Sequence, residues 1–78
     1  MTEQTETICV AVTHREQLGR ESLAIEKATG RAEANAKRVA DSLGLRLLEL
    51  LSIEKNVSQK DSMVEARVEA TYRVSAFS

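Results

Sequence analysis

The sequence predicts an α+β domain in the order β-α-β-β, a three-stranded antiparallel sheet wrapped around one long helix. Three features carry that expectation. An alanine-rich stretch from Ser22 to Leu43 repeats its apolar residues at helical spacing, whereas Met63–Phe77 alternates in steps of two. Between them Gly44 stands where a helix would end, since the left-handed residue that closes a helix is usually glycine. The run behind it, LRLLELLSIEK, would place leucine on every side of a helix, so the chain is expected to leave Gly44 as a strand.

The first strand is expected over residues 7–13, TICVAVT, which are β-branched and apolar. Ile8, Val10 and Val12 share one face, and Cys9, Ala11 and Thr13 the other. A short run that is apolar on both faces suggests a strand covered on both sides, with Cys9 buried as a small hydrophobe. Residues 14–22, HREQLGRES, are polar and contain Gly19, so they read as a loop or an irregular helix start, although Thr13 and Glu16 have capping-box spacing.

In the helix, Ile25, Ala28, Ala32, Ala36, Val39 and Leu43 form one stripe, which Ala24 and Ala40 widen. Lys27, Gly30, Lys37, Arg38 and Asp41 fall opposite, and Glu33 precedes Lys37 in the favourable i,i+4 order. Twenty-two residues at about 1.5 Å each make a rod of roughly 33 Å. Its small alanines would let it lie close on a sheet. Gly30 costs about 1 kcal/mol relative to alanine; it is either tolerated or marks the approach of another backbone.

The second strand is expected from Arg46 to Val57, with Leu47, Leu51, Ile53 and Val57 on one face and Leu48 and Leu50 on the other. Glu49 breaks the pattern. Residues 58–62 read as a polar hairpin loop without the Asn-Gly or Asp-Gly of a tight turn. In the last strand Val64, Ala66, Val68, Ala70, Tyr72, Val74 and Ala76 share one face, and Glu65, Arg67, Glu69, Thr71, Arg73 and Ser75 the other.

Seventy-eight residues without proline or a linker make a single domain, residues 1–78, of which 1–6 are expected to be disordered. A net charge of -1 and no basic cluster argue against a nucleic-acid partner, and the absence of tryptophan removes stacking platforms. One cysteine cannot form an internal disulfide, and MTEQTET lacks the pattern of a signal peptide. No run reaches the roughly 20 apolar residues of a membrane span, so a cytoplasmic protein away from membranes is expected.

The segment RAEANAKRVADSLGLRLLELLSIEK, residues 31–55, resembles the C-terminal half of the SIMPL family, in which an alanine-rich helix ends in leucine-glycine and leads into a strand of the kind GVKLGKVLSISE. The closing VEARVEATYRVS is similar to that family's last strand. Order and size also resemble dodecin, a small flavin-storing protein that assembles into a hollow dodecamer. This resemblance implies a dodecin-like fold and a homo-oligomer of order higher than two. It also implies ligand-binding positions at Arg46, Leu47 and Glu65. Leu47 stands where dodecin has the tryptophan that stacks on flavin, and Glu65 near its hydrogen-bonding glutamine. Leucine has no π-face and a carboxylate cannot donate, so both departures disfavour flavin, and the cofactor is left unknown.

Nothing in the chain points to catalysis. His14 is the only histidine, Cys9 has no second histidine to act as its base, and there is no metal-ligand spacing, so neither an enzyme nor a metal site is expected. The residues themselves point instead to assembly. A β-α-β-β unit covers one face of its sheet with one helix, which leaves Leu48, Leu50, Cys9 and Ala11 in need of a partner surface. On the last strand Glu65, Arg67, Glu69 and Arg73 alternate in sign, either as a solvated face or as a self-complementary interface. The expected function is therefore a non-enzymatic homo-oligomer, with small-ligand or ion binding in its cavities. Flavin storage and a protein-interaction module acting through a sheet edge are the alternatives.

Overall fold

The computed structural model describes residues 5–76 and contains β1 (Thr5–Gln17), α1 (Glu21–Ser42), β2 (Leu45–Lys60) and β3 (Met63–Ala76). The three strands form one antiparallel sheet in the order β1-β3-β2. This is the predicted α+β fold. β3 is the central strand, and its alternation makes it so: Val64, Ala66, Val68, Ala70 and Val74 are buried under the helix.

β1 pairs with β3 without interruption from Thr5↔Ser75 to Gln17↔Met63. It therefore exceeds its expected length at both ends. Thr5 and Glu6, expected to be disordered, open the strand, while residues 1–4 lie outside the described residues, as do Phe77 and Ser78. The polar HREQ segment is also strand rather than loop, because β3 offers backbone partners along that whole length. Leu18 N–H closes the ladder by donating to Ser62 C=O at 3.1 Å. Cys9 is exposed, not buried, since the helix covers only the face that carries Val10 and Val12.

In α1 the buried residues are Ala24, Ala28, Ala32, Ala36 and Ala40, one every four positions. A four-residue step overshoots a turn by about 40°, so the contact line winds about 160° around the helix over the five alanines. A row of this kind is inclined to the helix axis, as suits a twisted sheet. The straighter stripe expected from the sequence fails at the C-terminal end for that reason: Val39 and Leu43 are 36% and 61% exposed while Ala40 is buried. Gly44 ends the helix as predicted, with φ +69° and its N–H donating to Asp41 C=O at 3.1 Å. Around Gly30 an added Cβ would meet nothing within 4 Å, so no backbone approaches there.

β2 contains two register shifts, one between Leu47 and Leu50 and one between Leu50 and Ser52. Leu48 and Glu49 together face Arg73, and Leu51 and Ser52 together face Thr71. The shifts explain the misplaced Glu49. They also correct two assignments: Leu50 pairs with Tyr72 in the helix-facing row of β3, and Leu51 is the extra residue of the second bulge. β2 then runs on to Lys60 and turns through Asp61–Ser62, where Asp61 adopts φ 57°, a conformation that aspartate tolerates better than most residues.

The buried core consists entirely of alanine and valine. None of the eight leucines of the chain is in it.

Candidate functional site

The sheet face away from the helix carries the charged row of β3. Its arginines already have partners within the chain. Arg15 Nε donates to Glu65 Oε2 at 3.0 Å across the β1–β3 pair, and Arg67 donates to Glu69 Oε1 at 2.7 Å along β3. Arg73 reaches Glu49 at 3.3 Å, a contact made possible by the first bulge. Pairs as exposed as these stabilise a fold by about 0–1 kcal/mol each. Glu54 lies directly opposite Glu69, and Arg67 offsets that juxtaposition.

The three positions that the resemblance singled out do not converge within a subunit. Arg46 pairs with Ser75 and Leu47 with Val74, whereas Glu65 pairs with Arg15 and Ser58 near the hairpin end. Leu47 and Glu65 fall on opposite faces of the sheet, and nine β3 positions separate Val74 from Glu65, about 30 Å at strand rise. A groove of about 280 Å³ at the hairpin end is lined by Arg15, Lys60, Asp61, Met63 and Glu65, two cations balanced by two carboxylates. A depression of about 30 Å³ beside Glu6, Leu45 and Val74 has room for about one water.

The interface candidates Leu48 and Leu50 are 39% and 45% exposed, and Leu51, which the sequence pattern put under the helix, is 42% exposed. These three leucines cluster within four positions at the bulged part of an edge strand. Val57 pairs with Ala66 on the helix side of the sheet yet is 40% exposed. The helix of about 33 Å is shorter than the molecule's 54 Å long axis and cannot cover the whole sheet.

The sequence pattern missed one polar cluster. His14 Nε2–H donates to Glu16 Oε2 at 2.7 Å, and Lys27 Nζ lies 3.9 Å from the same oxygen. The hydrogen bond from His14, with the nearby charge of Lys27, holds the Glu16 carboxyl below its ordinary value against the opposing effect of burial. The alternation Val10, Val12, His14, Glu16 could have revealed this cluster had the strand been extended through the polar residues. On β3, burial and the charge of Glu33 push the Tyr72 phenol up. Among the described residues no group of three or more His, Cys, Asp or Glu could hold a metal ion, and no helix is long and apolar enough to cross a membrane.

Comparison with protein-family models, with curated proteins and with solved structures gives no match.

Proposed function

We propose that this chain is a non-enzymatic subunit of a homo-oligomer, dodecin-like in the sense of its sequence resemblance, which holds small ligands or ions in cavities between subunits. The observation that carries the reading is the inverted use of its apolar residues. Alanine and valine fill the core, while Leu48, Leu50 and Leu51 stand half-exposed together on β2. Taking a leucine from full exposure to full burial contributes about 1.5–3 kcal/mol, and these half-exposed ones still have a part of that to gain. A chain of this size, with a thin core, gains much by covering that tract with another copy. The separation of Leu47 from Glu65 supports placing any ligand site between subunits rather than within one.

Light scattering on the purified protein tests the reading, with an expected mass several-fold above 8.6 kDa. The double variant Leu48→Ser/Leu51→Ser, at positions exposed in the subunit, should keep the far-ultraviolet circular dichroism of the parent and lose mass. A monodisperse monomer of the parent at micromolar concentration overturns the proposal.

A further inference from the structure

The two edges of the sheet are unlike. The β2 edge carries two bulges, Lys55 and Lys60, devices that discourage another strand from pairing. The β1 edge has none of them between Thr7 and Thr13: no charge, no proline and no register shift. Strand order leaves this edge without a partner among the described residues. A regular, uncharged strand edge is a template for a further strand.

We infer that two copies of this chain pair through β1, antiparallel about a two-fold axis at Val10, to make one continuous six-stranded sheet with both helices on the same face. Such an axis is perpendicular to the sheet, so residues facing each other across it must share a face, and the axis must lie midway between the two copies of one residue. The chain then selects among the possible registers. Centred on Val10, Ile8 faces Val12 of the second copy, Thr7 faces Thr13, and Cys9 faces Ala11. Glu6 faces His14 rather than a second carboxylate. Centred on Ala11 instead, Glu6 would face Glu16, and like charges directly opposite destabilise a sheet. Centred on Cys9, Glu6 would face Val12. Only the Val10 register matches apolar with apolar and leaves no charge opposed by its like. The contact is isologous and closes on itself, and it uses none of the leucines of β2.

Thiol cross-linking tests the register directly. Facing residues on paired strands have Cα atoms about 5 Å apart, within disulfide reach. Two copies of Cys9, one residue to either side of the axis, would be offset by two residues along the strands, about 8 Å apart and out of reach. Under mild oxidation the Ala11→Cys variant should form a covalent dimer between Cys9 and the introduced thiol. The parent and the Cys9→Ser/Ala11→Cys variant should not. Position 11 is exposed on the sheet surface, so the variant should melt like the parent. Cross-linking of the parent through Cys9 alone overturns the register. An oligomer by light scattering in which Ala11→Cys forms no covalent dimer overturns β1 pairing while leaving the β2 leucine reading intact, and a monomer overturns both.

Discussion

The His14 imidazole and the Glu16 carboxylate, two residues apart on β1, meet at 2.7 Å on the helix-facing side of the sheet, with Lys27 of α1 close to the same oxygen. The pair makes the fold sensitive to acid in a definite direction. Glu16 titrates below its ordinary 4.5 in the folded chain, so the unfolded chain binds the proton more readily. The stability due to this contact is present above pH 4.5 and is lost as pH falls through the lower folded value. Thermal melts between pH 3 and 6 should show Glu16→Gln changing less with pH than the parent; equal slopes would remove this contact as a cause of acid sensitivity.

Two glycine-to-alanine changes should have opposite signs. Gly30 lies exposed in mid-helix with open space around it, so Gly30→Ala should stabilise the fold by about 1 kcal/mol. At Gly44 the space is equally open, but φ is +69°, and Gly44→Ala should cost about 1–2 kcal/mol through the backbone alone. Urea unfolding of both variants beside the parent measures the two differences.

Ala32 is 1% exposed at the middle of the buried alanine row. Ala32→Leu must push helix and sheet apart, at a cost of about 1–3 kcal/mol. Leucine at Ala34, on the exposed side of the helix, should cost far less. Similar melting temperatures for the two variants would contradict the alanine row as the contact line.

The helix boundaries, the glycine stop and the faces of β3 were legible because each is a local matter. A period of two or near 3.6 reports the backbone that generates it, and Gly44 reports the one left-handed residue the turn needs. The extension of β1 through HREQ was not legible. Polar side chains there satisfy loop and edge strand alike, and only pairing with Met63–Ala66 distinguishes them. Leu51 and Glu49 were misplaced for a related reason: a bulge shifts the alternation by one residue, and whether it forms depends on the partner strand. As for the candidate site, the sequence pattern named Leu48 and Leu50, which are exposed, but it put Leu50 on the wrong face and could not show that Arg67 and Arg73 have acidic partners in the same chain.

By itself, then, the sequence determined the order of elements, the end of the helix and an excess of apolar residues on β2, all of them set by steric preference and periodicity among near neighbours. Tertiary structure decided that β3 runs in the middle, that the alanine contact line winds around the helix, and that Cys9 faces outward. Those outcomes depend on hydrogen bonds and packing between residues far apart in the chain, and on the twist of a sheet that no single strand possesses alone.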